Sequence, residues 1–153
     1  MITRAQLTEQ DKIRLTDSDS DLSMFSYITC NENDTDLIKK CRGLIFHNNE
    51  LLVPSFGWTA EYTKDDKDKI NSFLKDDIRI FESHEGCLLR VYNFNNKWYI
   101  STHRRLDAFN SKWSSKKYWG EMFKEALDQE MEQFLDSLDK TKIYFFVVRN
   151  NEE

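Results

Sequence analysis

Glycine, proline and cysteine are scarce in this chain, and each shortage excludes something. With four glycines and one proline in 153 residues, flexible linkers and low-complexity tails are excluded. The three cysteines, Cys30, Cys41 and Cys87, lack Cys-x-x-Cys spacing, which predicts free thiols in a reducing compartment rather than a disulfide framework or a zinc site. No apolar run approaches the ~20 residues that cross a bilayer, and the first residues lack the apolar core of a signal peptide. We therefore expect a cytoplasmic protein with no membrane partner.

Charge is plentiful but unevenly placed. The net charge of −5 argues against indiscriminate binding to nucleic acid. Residues 101–117, however, carry five Lys or Arg side chains against the single acid Asp107, and the segment that follows is acidic. With 39% hydrophobic and 14% aromatic residues, the composition is that of an ordered protein, and the length predicts one domain over residues 1–153. The basic segment leaves a nucleic-acid partner open.

Two Asn-Asn pairs, each flanked by apolar runs, predict two β-hairpins. The first pairs residues 42–47 with 50–54, and the second pairs residues 87–94 with 98–102. Further short apolar runs predict strands, at 78–81, at 143–148 and, as either a strand or a helix, at 22–28.

Two other segments show helical character. Residues 64–73 predict a short charged helix, and residues 118–138 predict a long one whose apolar residues recur every three or four positions. Ser114 or Ser115 is predicted to cap the long helix. Strand pairs interleaved with one long helix predict an α+β fold, with a mostly antiparallel sheet and helices packed against it.

A short acidic-Gly motif opens the apolar strand of the second hairpin, with the sequence Glu82-Ser83-His84-Glu85-Gly86. It resembles the attachment segment of covalent nucleotidyltransferases, where Lys-x-Asp-Gly precedes a strand and the lysine attacks the α-phosphate of ATP. Ser83 stands in the lysine's place, Glu85 replaces the aspartate, and Gly86 is kept. A serine hydroxyl lacks the charge and the amine of lysine, so no lysyl-adenylate is expected here.

Two earlier segments strengthen the resemblance, and together they narrow it to the N-terminal adenylation domain of RNA ligases of the phage T4 RNA ligase 1 type. Cys41-Arg42-Gly43 is similar to a family strand whose arginine lies near the ATP phosphates, and it precedes Ser83 by the family's spacing of some forty residues. Residues 53–62 are similar to a family loop that carries a lysine, with Ala60 in the lysine's place.

A fourth segment, residues 143–150, resembles the strand whose glutamate supports nucleotide and metal chemistry, with Phe145 or Phe146 in that place. The resemblance covers residues 38–153 and lacks two later family motifs, one acidic-Gly and one lysine-bearing. It implies a nucleotidyltransferase-like fold with an altered ATP site.

The resemblance also implies site residues. We expect no catalytic residue and no protein-held metal. Nucleotide binding, with ATP and Mg²⁺ as the possible cofactors, is expected to involve Arg42, Gly43, Ser83, Glu85, Gly86 and Arg90. The basic segment mixes cations with aromatic rings, as RNA-binding surfaces do, and the expected RNA-binding residues are His103, Arg104, Arg105, Lys112 and Trp113. An exposed basic loop that balances the acidic segment after it is an equally good interpretation.

The sequence leaves three functions open. The first is a degenerate or truncated RNA-ligase-like domain, which binds nucleotide or RNA ends without lysyl-adenylate chemistry. The second is an active ATP-dependent RNA ligase that uses an unrecognised lysine or a further C-terminal part. The third is a protein-interaction module that presents exposed aromatic residues such as Trp58, Tyr62 and Trp113. The three replaced positions favour the first.

Overall fold

The computed structural model of the chain describes residues 2–74, 78–113 and 116–149. Two antiparallel sheets form its centre, one of four strands and one of three. Short helices accompany them. The predicted α+β fold with mostly antiparallel pairing is confirmed, except that the strands form two sheets rather than one.

The four strands of the first sheet follow one another in chain order, and they are β1 (Ile13–Ser18), β2 (Leu22–Tyr27), β3 (Arg42–His47) and β4 (Glu50–Val53). The predicted first hairpin is confirmed as β3 and β4, which meet at Asn48 with a positive φ of 53°. The apolar run at 22–28, left open as strand or helix, contains β2. Strand β1 was not predicted from the sequence, because its residues are mostly polar and exposed.

The second sheet contains β5 (Cys87–Phe94), β6 (Lys97–Ser101) and β7 (Tyr144–Val148). Strand β5 lies in the middle and runs antiparallel to both neighbours. The second hairpin and the last strand are thereby confirmed. Asn95 and Asn96 both have positive φ, 49° and 62°, as a two-residue hairpin turn requires.

The described helices have at most seven residues, too few to span a bilayer. They are α1 (Arg4–Thr8), α2 (Asp36–Lys40), α3 (Lys67–Phe73), α4 (Trp119–Glu125) and α5 (Met131–Asp136), with a 3₁₀ turn at Ala108–Asn110. Helix α3 confirms the short charged helix, whereas α1 and α2 were not predicted.

The prediction of one long helix over residues 118–138 is wrong, because this segment forms two separate helices, α4 and α5. A continuous helix of that length would extend about 31 Å, beyond the face of a three-stranded sheet. The break lets Phe123 of α4 and Phe134 of α5 meet Phe146 of β7 at ring-centroid distances of 5.2 and 5.9 Å. The apolar periodicity was real, but it reflects two short helices on one core.

The start of α4 also differs from the prediction. Helix α4 begins at Trp119, and the backbone N–H of Tyr118 donates to Glu121 Oε2 at 2.9 Å. The caps proposed from the sequence, Ser114 and Ser115, lie outside the described residues.

The prediction of a strand at residues 78–81 is also wrong. These residues have no strand assignment and no ladder partner among the described residues. Ile80 and Phe81 are 84% and 78% exposed. Their composition favours a strand, but a strand needs a neighbour to satisfy its backbone groups.

Three apolar clusters order the layers. Leu7 and Ile38 of the first helices pack on one face of the first sheet with Phe46. Between the sheets, Ile45 and Val53 meet Tyr92 and Tyr99, among others. On the outer face of the second sheet, Leu89 and Val91 meet Phe123 and the helices α4 and α5. The result is four layers: helices, sheet, sheet, helices.

The cysteines agree with the prediction of free thiols. Cys41 is buried, while Cys30 and Cys87 are partly buried. Burial raises the pKa of Cys41 and that of Cys87 to about 12, so both remain protonated, unreactive thiols at neutral pH.

Candidate functional site

A buried arginine, Arg90 of β5, lies between the two sheets with 1% of its surface exposed. Its guanidinium donates to the carbonyl oxygens of Gly43 and Thr102, the latter at 2.7 Å, and to that of Pro54 at 3.5 Å. Burial lowers the pKa of Arg90 to about 10, so the group is still a cation at neutral pH. The sequence assigned Arg90 to nucleotide binding, whereas the guanidinium is engaged with backbone carbonyls.

At Gly43, strand β3 lies against the loop that follows β6. The pairing of β2 with β3 shifts register between Phe25 and Ser26, so Gly43 is an extra residue in a bulge with φ of 85°. A Cβ at Gly43 would lie 2.7 Å from His103 O. Ser26 Oγ donates to the same carbonyl at 2.7 Å. Only glycine permits this approach.

The loop after β6 is closed by its own hydrogen bonds. Thr102 Oγ1 accepts from the backbone N–H groups of Arg104 and Arg105 at 3.2 and 3.0 Å, and Thr102 N–H donates to Arg105 O at 2.9 Å. Leu106 N–H donates to Asp17 Oδ2 at 2.8 Å, which ties the loop to β1. His103 and Arg104 are therefore presented from a closed turn.

Electrostatics link these residues. Burial lowers the pKa of His103 to about 4, and the nearby cations Arg42, Arg104 and Arg90 contribute in that order. His103 is therefore neutral at physiological pH. Arg42 and Arg104 are exposed, and neither has a carboxylate partner among the described residues.

Two unpaired guanidinium groups beside a neutral imidazole form a site suited to an anion. Guanidinium groups match phosphate oxygens in pairs, and a neutral imidazole can donate one further hydrogen bond. The structure thus brings together Arg42, Gly43, His103 and Arg104. Arg90 lies behind them.

The motif residues Ser83 and Glu85 do not join this cluster. Both are exposed, and within the described residues neither side chain makes a hydrogen bond or an ion pair. Gly86 does have a structural role, because its Cβ would lie 2.5 Å from Val148 O at the end of β7. Gly86 therefore serves close backbone packing next to β5.

The remaining residues of the basic segment lie apart. Arg105 approaches Asp17 at 4.0 Å, and Lys112 Nζ lies 5.0 Å from the ring centre of Tyr118. Trp113 is 80% exposed. Of the five RNA-binding residues expected from the sequence, His103 is the one whose pKa the charges of Arg42 and Arg104 lower.

Phe145 and Phe146, which the sequence comparison singled out as alternatives for one position, face opposite ways. Phe145 is paired with Arg90 in register, so the two side chains share the face toward the first sheet. Its ring lies 4.9 Å from that of Phe56. Phe146 packs among the helices. Of the two residues, Phe145 is therefore the one on the face toward the first sheet.

Two residues near the site were missed at the sequence level. Ser26 holds His103 through its carbonyl. The pKa of Tyr27 is raised, because burial outweighs the opposing charges of Arg42 and Arg104. A serine inside the apolar run 22–28 was the available signal for Ser26, and none pointed to Tyr27.

A separate groove of about 470 Å³ lies along the edge of β6 and is lined by Asp17, Asp19, Trp98 and Phe109, among others. Its carboxylates give it the wrong charge for phosphate. Over the part of the chain that the structure describes, no three His, Cys, Asp or Glu side chains form a group that could hold a metal ion.

Fold and site together define an α+β protein with two facing antiparallel sheets and a cationic cluster at one end of their interface. No family model matches the chain, and no solved structure matches it. It is similar to the "Immediate-early protein ICP-46 homolog" of Invertebrate iridescent virus 6, with 41% identity over 104 residues. The protein of the same name from Invertebrate iridescent virus 3 is 26% identical over 104 residues.

These matches cover 64% and 63% of this chain but 23% of each relative. The chain therefore spans about a quarter of the length of the curated relatives it matches. Their names state no substrate and no activity.

Proposed function

We propose that this chain is a degenerate RNA-ligase-like domain that binds the phosphate groups of a nucleotide or of RNA without forming a lysyl-adenylate. The observation that carries the proposal is the cluster of Arg42, His103 and Arg104. Two exposed arginines without carboxylate partners in the described structure flank an imidazole that stays neutral. Like charges held together in this way favour an anion between them.

The absence of adenylyl transfer is proposed from three replaced positions. Ser83 offers no amine, Ala60 has no charge, and Phe145 places a ring beside Phe56 where a carboxylate would support metal chemistry. Each change removes a different part of the covalent mechanism. Binding through guanidinium groups needs none of the three.

The proposed ligand brings its own Mg²⁺ where one is needed. Nucleotide triphosphates carry Mg²⁺ on their phosphate oxygens, and proteins often hold it through few side chains. Arg42 and Arg104 would then contact the phosphate oxygens that the ion leaves free.

The binding test compares wild-type protein with Arg42→Ala and Arg104→Ala. ATP and a short single-stranded RNA with a 5′-phosphate are the probes, titrated at low salt. We expect each variant to weaken binding by about 10- to 150-fold, since a charge-assisted contact contributes about 1.5–3 kcal/mol. Lys124→Ala is the matched control, because Lys124 is an exposed cation on α4, in the outer helix layer. Failure of both probes to bind wild-type protein would refute the proposal.

An active ligase is the second candidate, and it is separated by one labelling experiment. Wild-type protein is incubated with α-labelled ATP and Mg²⁺ and then run on a denaturing gel. We expect no labelled protein band. A stable label on any lysine would instead establish covalent adenylyl transfer.

A protein-interaction module is the third candidate, favoured by the exposure of Ile80 and Phe81. Ligands that bind the native state alone raise the melting temperature. If ATP and RNA leave the melting temperature unchanged, while Ile80→Ser and Phe81→Ser abolish binding to a purified protein partner, this candidate replaces ours.

A further inference from the structure

Arg90 donates hydrogen bonds to residues adjacent to both parts of the cationic cluster, which are Arg42 on β3 and the loop that carries His103 and Arg104. One of its acceptors is the carbonyl of Gly43, the residue after Arg42, and another is the carbonyl of Thr102, the residue before His103. The third, Pro54, follows β4. These acceptors lie 36 to 47 residues from Arg90 on the first-sheet side and 12 residues away after β6. One side chain therefore joins segments that are distant in sequence.

We propose that Arg90 is a positioning residue, which sets the separation of Arg42 from His103 and Arg104 and does not itself touch the anion. This inference rests on the proposed function of the cluster. Arg90 is buried and its donors point at main-chain oxygens, so a ligand at the surface meets Arg42 and Arg104 instead.

The guanidinium is suited to this role for a geometric reason. Its donors form a rigid planar fork, so two or three carbonyls can be held at fixed relative positions. A lysine at this site would keep the charge but present its donors from one nitrogen on a flexible stem. Arg90→Lys therefore separates the effect of positioning from the effect of charge.

The test measures two quantities on Arg90→Lys under conditions where circular dichroism shows it folded. The first is affinity for the 5′-phosphorylated RNA at low salt, which we expect to fall about tenfold. The second is the pKa of His103 by NMR titration, with the resonance assigned through His103→Asn. We expect this pKa to rise above about 4 but to stay below 6.5, because burial, the largest cause of the low value, persists while Arg42 and Arg104 move away from the ring.

Ser26→Ala provides a milder second variant should Arg90→Lys fold poorly. It removes the hydrogen bond from Ser26 Oγ to His103 O and leaves every charge in place. We expect the same two changes in smaller measure, with affinity falling about threefold. A purely structural contact would lower the melting temperature and leave both quantities unchanged.

The outcomes separate this inference from the proposed function. If wild-type protein binds and the folded variants retain both its affinity and its His103 pKa, the positioning role is refuted while the proposed function stands. If affinity falls and the His103 pKa does not move, Arg90 acts on the anion directly and the inference is also refuted. If wild-type protein binds neither probe, the proposed function itself fails.

Discussion

Two regions of the molecule, the cationic cluster and the acidic-Gly motif, differ in how firmly their residues are held. The cluster around Arg42 and His103 is fixed by Arg90, by Ser26 and by the bulge at Gly43. The motif segment at Ser83 and Glu85 is exposed and, within the described residues, its side chains contact no polar partner. The cluster that we propose to bind phosphate is held by the two sheets. The exposed motif is not held in this way.

On our proposal, phosphate binding is retained in this chain while covalent chemistry is lost, and the two regions differ in structure accordingly. An adenylating lysine must be held against its substrate, since misplacement by an ångström is costly. A pair of arginines tolerates more freedom, because charge acts over several ångströms. Substitutions in the fixed cluster and in the exposed motif test this contrast.

Gly43→Ala has the largest expected effect. The substitution forces a side chain into φ of 85° and places a Cβ 2.7 Å from His103 O. We expect the free energy of unfolding, measured with urea, to fall by about 3 kcal/mol, because positive φ and a backbone clash both cost energy. Ser83→Ala is the matched substitution in the exposed motif. Equal stability of the two variants would contradict the contrast.

Acid sensitivity from His103 comes next. Its folded pKa, about 4, lies below its ordinary value of 6.5, so below pH 6.5 the unfolded chain binds a proton that the folded protein resists. This difference in proton binding destabilises the folded protein only below pH 6.5. The free energy of unfolding therefore falls as the pH drops from 6.5 to 4. The slope is at most about 1.4 kcal/mol per pH unit.

The measurement compares urea unfolding of wild-type protein and His103→Asn at several pH values. We expect the difference between their free energies of unfolding to change below pH 6.5 and to be constant above it. Parallel curves throughout that range would show that His103 titrates normally and would remove the neutral imidazole from the proposed site.

Both hairpins and the last strand were predictable because their signals are local. Asn48, Asn95 and Asn96 adopt positive φ in the two turns, and apolar runs flank them. The break between α4 and α5 was not predictable in this way, because it is set by the size of the sheet beneath. The strand expected at residues 78–81 failed for a similar reason: propensity is local, but a strand partner is not.

The candidate site was predictable in part. Arg42, Gly43, His103 and Arg104 were named from sequence, although in two separate groups that only the fold brings together. Arg90 was predicted to bind nucleotide, and its guanidinium donates to main-chain oxygens; sequence alone does not distinguish a buried position on β5 from one exposed to a ligand. Ser26 and Tyr27 were missed because their role depends on a loop some 77 residues away from Ser26.

A lysine placed at residue 83 tests the exposed motif directly. We expect Ser83→Lys to give no labelled adduct with α-labelled ATP, because the new amine would stand on an exposed segment with Ala60 and Phe145 unchanged. The triple variant, which adds Ala60→Lys and Phe145→Glu to Ser83→Lys, is measured for comparison in the same labelling experiment. A label on Ser83→Lys alone would show that the motif is already positioned for chemistry.

Ser83→Ala and Glu85→Gln have the smallest expected effect. Both side chains are exposed and lack hydrogen-bond or ion-pair partners in the described structure, and surface changes of this kind stay within about 0.5 kcal/mol. We therefore expect unchanged unfolding by urea and less than a twofold change in affinity for ATP or RNA. A tenfold loss of affinity in either variant would place the motif in the binding site after all. The cluster and the motif would then act as one surface, and the contrast between them would hold for folding but not for binding.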